Sequence, residues 1–338
     1  MVRKRIVFTA PGKAELLEDT VSLVGPHDVL VELAVSTVSS GTERANVSGE
    51  VNVSITKLSD KAVFPRYSGY SSSGTVIAAG SEVRSIRPGD RVALAWSTHS
   101  QYVCIHEKNV IVLPDDISFE EAALCHIGTF PIAAIRKCHL EISESALVMG
   151  LGILGQMAVL QLRAAGAVPV IAADPVKEKR ELALRLGADY VLDPFAEDFA
   201  KQVKEITSGG VHVAIEVTGV GQGLNLALDC MRRFGRVALL GCTRHSDFTI
   251  DFYRKVHGPG ITLVGAHTLA RPETESHNGW WTVRDDMNAQ LQLLMRKRLN
   301  YRQLVAETHS PEDAPEVYVR LCTERNFPVV QFDWRQLK

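Results

Sequence analysis

Apolar and polar positions change their spacing along the chain. Up to about residue 115, short apolar runs alternate with turn residues such as Pro88-Gly89-Asp90. Runs of this length bounded by turns predict β-strands. The runs cover 29–35, 74–79, 91–95, 102–105 and 110–113. A first strand precedes them at Ile6-Val-Phe, which is too short for a secretion signal. We expect a β-rich, barrel-like domain here.

A helix is predicted where the β pattern ends. Ser118, followed by Phe119 and two glutamates, suits a helix N-cap with acids in the first turn, and an apolar stretch continues to Ile135. From about 145 to 266, strand-like segments then alternate with helix-like ones, which predicts a doubly wound parallel sheet. The predicted strands are 146–149, 168–172, 189–192, 211–217, 236–240 and 261–265, and the predicted helices 156–165, 176–186, 198–207 and 222–233. A polar loop at 268–283 precedes a last predicted helix from about 285 to 298.

A glycine turn follows the first strand of this sheet. Gly150, Gly152 and Gly155 stand in G-x-G-x-x-G spacing. Gly150 permits the tight turn, Gly152 lets the backbone approach a pyrophosphate, and Gly155 lets the helix pack on the strand. The helix N-terminus, with Ile153 and Leu154, offers N–H groups to phosphates. A turn that only joins strand to helix is the alternative, but the flanking strand and helix favour a dinucleotide site.

An acid ends the second strand of the sheet. Asp174 comes about 20 residues after the last glycine, where a carboxylate can hold the ribose 2′-hydroxyl of NAD. Lys179 and Arg180 could instead receive the 2′-phosphate of NADP, although they lie past the strand on the next helix. We therefore expect NAD, with NADP as the alternative.

Composition and charge exclude several classes of protein. The 338 residues exceed what one core usually supports, which predicts two domains. The 37 basic and 39 acidic residues nearly balance, and no basic run points to nucleic acid or to an anionic membrane surface. No stretch approaches the roughly 20 apolar residues of a membrane helix. The six cysteines are scattered without a C-x-x-C pair, which suits a reducing cytoplasm. We expect small-molecule partners and other copies of the chain.

The chain resembles the medium-chain dehydrogenase/reductase superfamily over nearly its whole length. The matching stretches are Val31-Glu-Leu-Ala-Val, Ser40-Gly-Thr-Glu, Arg87-Pro-Gly-Asp-Arg-Val, Leu113-Pro, Glu121-Ala-Ala-Leu, the Gly150 turn, Ala183-Leu-Arg-Leu-Gly-Ala-Asp, Ile215-Glu-Val-Thr-Gly, Phe234-Gly-Arg-Val-Ala-Leu-Leu-Gly and Ile261-Thr-Leu-Val-Gly. The resemblance implies a GroES-like β-rich catalytic domain (1–141 and 268–338) and a Rossmann domain (142–267), with the active site in the cleft between them. It also implies dimers formed through strand 261–265, with a tetramer as the alternative.

Departures from the family pattern concern its catalytic zinc. Where the zinc-dependent members carry a cysteine, this chain has Ser40, and where they carry a histidine, it has Tyr70. Cys125, or His126 if the register shifts by one residue, stands at the third ligand position. A catalytic zinc needs three protein donors and a water. We therefore expect neither a catalytic zinc nor a structural one, since the four-cysteine lobe is missing too. The pairing of Ser-Gly-Thr-Glu with Gly-Tyr-Ser resembles a zinc-lacking branch of the superfamily.

Without a metal, side chains must stabilise the developing alkoxide and carry its proton. By resemblance, Thr42 matches the relay hydroxyl of the family, Glu43 is the acid beside it, and Tyr70 takes the old histidine position. His126 and His99 are further candidates because imidazole titrates near neutral pH. Arg44 could support a phenolate at Tyr70.

Each of these residues also has a structural interpretation. Tyr70 could be a packed phenol, Glu43 a cap or a partner of Arg44, and His99 a surface turn residue. Cys125 is more often a small buried apolar residue than a nucleophile. We expect Ser40, Arg44 and His99 to contact substrate beside the catalytic set Thr42, Glu43, Tyr70 and His126.

Two further groups of residues complete the expected site. Thr218, Gly241 and Cys242 follow strands of the predicted sheet and should line the nicotinamide. Trp280 and Trp281, in the long polar loop, suit a lid that stacks on a sugar or polyol ring, with ordinary packing as the alternative.

Three functions compete on this evidence. The first is a zinc-independent, NAD-dependent oxidoreductase that interconverts a secondary alcohol and a ketone. Its substrate would be a polyol or a sugar derivative. The second is an NADPH-dependent enoyl or quinone reductase of the same superfamily, against which Asp174 argues. The third is a cofactor-binding scaffold without turnover.

Overall fold

The computed structural model describes residues 1–54 and 60–337. The chain divides into two compact units, one formed by Met1–Ile127 with Met287–Lys338 and the other by Gly128–Asp286. The sequence boundaries at 141/142 and 267/268 differ from this division because the helix after Ile127 and the loop carrying both tryptophans pack with the second unit. Within the described ranges, no helix combines the length and apolar character that a membrane crossing requires.

Strands dominate the first part of the chain, as the apolar runs predict. The strands are β1 (Val2–Ala10), β2 (Lys13–Thr20), β3 (Asp28–Thr37), β4 (Arg66–Tyr67), β5 (Ser71–Ala79), β6 (Arg91–Ala95), β7 (Tyr102–His106) and β8 (Val110–Val112), and the helices are α1 (Ser40–Ser48), α2 (Phe119–Ala122) and α3 (Cys125–Lys137). Ser118 caps α2 as expected, its hydroxyl accepting a hydrogen bond from the Glu121 N–H at 3.3 Å.

The single helix predicted from residue 118 is two helices. The Ser71 hydroxyl donates to the Ala123 carbonyl at 2.7 Å and accepts from the Ile127 N–H at 3.4 Å. In a continuous helix that carbonyl and that N–H would bond to each other. The inserted hydroxyl breaks the ladder between α2 and α3. Because α3 starts at Cys125, His126 stands in its first turn.

The second unit contains the predicted parallel sheet. Its strands are β9 (Ala146–Met149), β10 (Val170–Ala173), β11 (Tyr190–Leu192), β12 (Val211–Glu216), β13 (Met231–Leu239) and β14 (Thr262–Gly265), and its helices are α4 (Ile153–Ala165), α5 (Lys177–Arg185), α6 (Phe199–Ile206) and α7 (Gly221–Asp229), with a π-helical turn at Tyr253–His257. The spatial order is β11-β10-β9-β12-β13-β14, and every pair is parallel. Helix α7 ends four residues earlier than predicted because Met231 already pairs with Val211.

The last part of the chain returns to the β-rich unit. It forms α8 (Val283–Met295), β15 (Glu307–His309), α9 (Ala314–Thr323) and β16 (Val330–Asp333). Strand β16 lies between β15 and β3 in a sheet of order β15-β16-β3-β5-β6-β8, in which β7 also pairs with β3. A smaller sheet has the order β2-β1-β4. The core of this unit is apolar and includes Phe8, Val31, Leu94 and Phe332. The α/β class with a separate β-rich domain is therefore confirmed.

Candidate functional site

The glycine turn after β9 leaves space at the N-terminus of α4. Gly150 has a φ of 97°, in the left-handed region that favours glycine. A Cβ on Gly155 would lie 1.9 Å from the Gly150 carbonyl oxygen, so helix and turn approach each other as only a glycine permits. Gly152 is the N-cap of α4, no side chain caps the helix, and a Cβ there would meet nothing within 4 Å. The N–H groups of Ile153 and Leu154 thus begin a helix whose N-terminus fits a phosphate group.

Asp174 directly follows β10 and connects this turn to α5. One carboxylate oxygen accepts the Leu151 N–H at 2.8 Å, and the other accepts the Val176 N–H at 2.8 Å. The side chain is buried, and these two bonds fix it beside the glycine turn. Arg180 donates to the Asp174 carbonyl at 2.6 Å and reaches the Asp193 carboxylate at 3.4 Å. The Lys179 carbonyl accepts from the Gln156 side chain at 3.0 Å.

Two more turns meet at the same edge of the sheet. The buried Glu216 carboxylate, at the end of β12, accepts the Thr218 N–H at 2.7 Å, the Thr218 hydroxyl and the Gly219 N–H at 3.3 Å. Burial raises the pKa of Glu216. A Cβ on Gly241, after β13, would lie 2.4 Å from the Gly219 nitrogen, so the two turns touch. Cys242 follows and is exposed. Sequence reasoning missed Glu216, whose signal was an acid at the end of an otherwise apolar strand.

Glu43 lies fully buried in α1 of the first unit. Its carboxylate accepts the Ser39 N–H at 2.8 Å, faces His99 Nε2 at 3.1 Å and accepts the Tyr318 hydroxyl. The suggested pairing of Glu43 with Arg44 is wrong, because Arg44 donates to the Leu321 carbonyl at 2.7 Å. Glu43 therefore serves as the centre of a buried hydrogen-bond network.

His99 extends this network. It is fully buried, so its interpretation as a surface turn residue is wrong. Its Nδ1 lies 2.7 Å from the Ser36 hydroxyl, which also accepts the Trp334 indole N–H at 2.8 Å. Because both ring nitrogens are engaged within the protein, His99 fixes other residues in place.

Tyr70 is half-buried at the start of β5, and its hydroxyl donates to the Ser39 hydroxyl. Its carbonyl accepts His126 Nδ1 at 2.6 Å. Since a carbonyl can only accept, Nδ1 carries a proton, and in the neutral form of the ring the lone pair lies at Nε2. The two rings meet edge to face with centroids 5.6 Å apart. The structure therefore brings together Tyr70 and His126, two of the predicted catalytic residues.

Trp96 completes this aromatic group, and sequence reasoning missed it. Its ring centroid lies 4.6 Å from that of His126 and 6.1 Å from that of Tyr70. Its φ is 60°, an uncommon value for a tryptophan, and the side chain is 39% exposed. Strained backbone of this kind concentrates at functional sites. The available signal was a tryptophan directly after the strand β6.

Ser40 and Thr42 lie half-buried in the first turn of α1. The Thr42 carbonyl accepts from the Asn46 side chain at 2.9 Å.

Cys125 is fully buried, and its thiol donates to the Glu121 carbonyl at 3.7 Å. Burial raises the pKa of Cys125, which keeps the thiol protonated. In residues 1–54 and 60–337, no group of three or more His, Cys, Asp or Glu side chains is arranged to hold a metal ion.

The two tryptophans of the polar loop pack in the second unit. The Arg136 guanidinium lies 3.5 Å from the centroid of the Trp281 ring, and the Lys137 ammonium 4.7 Å from that of Trp280. Arg136 also pairs with the fully buried Asp286 at 2.9 Å. These contacts support the packing interpretation, in which the loop is held against the last turn of α3.

Comparisons with known proteins agree with this architecture. The family model described as "Zinc-binding dehydrogenase" matches residues 154–278. L-threonine 3-dehydrogenase of Thermococcus kodakarensis is 30% identical over 82% of this chain and 85% of its own length. D-guloside 3-dehydrogenase of Escherichia coli is 25% identical over 94% of this chain and 95% of its own length. The crystal structure of galactitol-1-phosphate dehydrogenase from Escherichia coli superposes with a TM-score of 0.82 at 20% identity, covering 98% of this chain and 99% of that one. With its parallel sheet, glycine turn and β-rich unit, the chain belongs to the medium-chain dehydrogenase/reductase superfamily of NAD(P)-dependent oxidoreductases.

Proposed function

We propose that the protein interconverts a secondary alcohol and a ketone, on a polyol or sugar-derived substrate, with NAD as hydride carrier and without zinc. The observation that carries the proposal is the group formed by Tyr70, His126 and Trp96 in the β-rich unit. It brings a phenol and an imidazole together, and by the family resemblance Tyr70 takes the position at which zinc-dependent members carry a histidine ligand.

The second unit has the features of a dinucleotide site. Gly152 leaves room over the N-terminus of α4, and the buried Asp174 carboxylate stands beside the glycine turn. A carboxylate there accepts ribose hydroxyls and repels a 2′-phosphate, which supports NAD over NADP. When bound, the nicotinamide supplies or accepts the hydride. Asp174 and the α4 N-terminus bind and orient the dinucleotide.

Removing a hydride from a carbinol carbon requires that its hydroxyl proton also leave. We assign this proton to Tyr70 and His126 of the first unit. The Tyr70 carbonyl holds His126 in the tautomer whose Nε2 accepts a proton. Trp96 provides an apolar wall beside both rings. Glu43 and His99 have their polar atoms bonded within the buried network. We therefore assign them a structural role, which is to hold neighbouring residues in place.

The donor set argues against a catalytic zinc. A zinc site needs thiolate, imidazole or carboxylate donors from three residues. Cys125 bonds to a carbonyl, Tyr70 offers a phenol, and the Glu43 carboxylate already takes three contacts, so of these candidate ligands and His126 only the His126 imidazole matches a zinc donor. These residues do not fit the metal that the family description names, so we assign no step to it.

We place the protein in a reducing cytoplasm as a homodimer or homotetramer. The six cysteines, all free, support the compartment. Sedimentation of the purified protein checks the assembly.

The test combines metal analysis with turnover. We expect oxidation of a member of a polyol and sugar-alcohol panel with NAD, less than stoichiometric zinc, and no loss of activity in chelator. Tyr70→Phe and His126→Gln should each lower kcat by about 100-fold or more, with NADH affinity unchanged. Tyr102→Phe is the matched control, because it removes a phenol bonded to Glu32 in the same unit.

Different results contradict different parts of the proposal. Stoichiometric zinc with activity lost in chelator would overturn the metal-free chemistry. A clear preference for NADPH would favour an enoyl or quinone reductase. Full turnover in both variants would remove Tyr70 and His126 from the mechanism.

A further inference from the structure

Ser39 lies between the buried network and the aromatic group, and nothing in the sequence singles it out. It is the N-cap of α1 and 4% exposed. Its N–H donates to the Glu43 carboxylate at 2.8 Å, and its hydroxyl accepts the hydroxyl of Tyr70. The same residue is thus fixed through its backbone and bonded to Tyr70 through its side chain.

The support behind Ser39 comes from distant parts of the chain. Glu43 is held by His99, from the turn after β6, and by Tyr318, from α9. His99 is held in turn by Ser36 at the end of β3, which also bonds Trp334 after β16. All five side chains are at most 4% exposed. Satisfied buried networks of this kind are rigid, so Ser39 has little freedom to leave Tyr70.

A serine hydroxyl suits both protonation states of a neighbouring phenol. It accepts a hydrogen bond from the neutral phenol and, after rotation about its C–O bond, donates one to the phenolate. When the substrate hydroxyl gives its proton to the Tyr70 oxygen, that oxygen becomes a neutral phenol. The Ser39 hydroxyl, which donated a hydrogen bond to the phenolate, then accepts one from the phenol. Ser39 itself neither gains nor loses a proton.

We propose that Ser39 is a positioning residue for Tyr70, that it stabilises the phenolate form, and that Glu43, His99 and Tyr318 hold it in place. The inference rests on the role given to Tyr70 in the proposed function. It assigns to Ser39, and through it to Tyr318 of α9, a part in the reaction separate from that of Ser40 and Thr42.

The first experiment replaces the hydroxyl. We expect Ser39→Ala to lower kcat by about 10- to 100-fold at neutral pH, the range for one hydrogen bond to a charged group, with little change in KM. The ascending limb of the pH profile of kcat for alcohol oxidation, which follows deprotonation of the Tyr70 phenol, should move to higher pH. Ser39→Thr, which restores a hydroxyl, should recover most of kcat and return the pH profile close to that of the unaltered protein. Ser48→Ala is the control on the same helix, because its exposed hydroxyl bonds only the local Ala45 carbonyl in the last turn.

The second experiment needs no turnover. Tyrosinate absorbance is titrated in Ser39→Ala and in the unaltered protein, each as a difference against its Tyr70→Phe counterpart. The Tyr70 transition should move to higher pH when the Ser39 hydroxyl is absent. Tyr318→Phe should move it in the same direction by less, and it replaces Ser39→Ala in every assay if that variant does not fold.

The outcomes separate the two proposals. An unchanged pH profile and an unchanged tyrosinate transition in Ser39→Ala overturn the inference and leave the proposed function standing. Full turnover in Tyr70→Phe overturns the catalytic role of Tyr70, and this inference with it.

Discussion

At the scale of single residues, hydrogen bonding distinguishes two buried acids of this protein, Glu43 and Asp174. Glu43 accepts from side chains of remote segments, whereas Asp174 accepts only from backbone N–H groups next to a turn. A carboxylate with two oxygens has about four lone pairs. Asp174 therefore keeps the capacity to accept ribose hydroxyls after holding the turn.

Asp174→Ala should weaken NADH binding by about 10- to 100-fold, because hydrogen bonds to a carboxylate contribute about 1.5–3 kcal/mol. NADPH binding should fall less, since the variant also removes a repulsive charge. Fluorescence titration with both cofactors measures the change.

Asp189→Ala is the control for this prediction. The Asp189 carboxylate accepts the Val170 N–H at 2.7 Å, at the opposite end of the same strand β10. An equal loss of NADH binding in the two variants would mean that Asp174 acts only through the fold of the sheet.

Residues in local motifs were predictable and those in long-range networks were not. Gly150, Gly155 and Asp174 lie within one strand-turn-helix-strand segment, and their spacing alone predicts their place. Glu43 and His99 were expected near the substrate, whereas in the structure they bond to each other and Glu43 also bonds Tyr318, which is 275 positions away. No local pattern records such a pairing, and the left-handed backbone of Trp96 has no sequence signal either.

At the scale of elements, apolar periodicity gave the right type for nearly every strand and helix of the parallel sheet. The predicted helix boundaries were wrong where a side chain replaces a backbone hydrogen bond, as the Ser71 hydroxyl does between α2 and α3. The start of α4 was predictable because glycine spacing reports how closely a turn and a helix approach.

The two glycines at that start should respond differently to an added methyl group. Gly152→Ala should leave the melting temperature of the cofactor-free protein nearly unchanged, because the new Cβ meets nothing within 4 Å. It should weaken NADH binding at least tenfold by filling the space over the helix. Gly155→Ala should destabilise the protein itself, because its Cβ would stand 1.9 Å from a carbonyl oxygen. Melting curves with and without NADH distinguish the two, and equal losses of stability without NADH would contradict this account.

At the scale of the whole molecule, one buried lysine links stability to pH. Lys137 is 5% exposed, with its ammonium over Trp280 and 3.4 Å from the Gly265 carbonyl. Burial first, and then the nearby Arg271, lower the pKa of Lys137 from 10.5 to about 8. Between these two values the unfolded chain binds the proton and the folded chain releases it, so the contribution of Lys137 to the free energy of unfolding rises with pH.

Lys137→Met should remove this dependence. Relative to the variant, the unaltered protein should gain about 2 kcal/mol in free energy of unfolding between pH 7 and about pH 10. Urea unfolding at a series of pH values measures the difference. Lys177→Met, at a position that is 75% exposed on α5, should show no such trend. A difference that falls with rising pH would contradict the lowered pKa.

The place of β16 in its sheet has a consequence for biosynthesis. Every residue of the second unit has been joined by position 286, whereas the sheet of the first unit lacks β16, which pairs with the last three residues of β3, until position 333. A nascent chain emerging from the ribosome can therefore complete the nucleotide-binding half while the earlier half still exposes an open strand edge. Such edges recruit other chains, so the interval of synthesis between these two positions exposes the protein to aggregation.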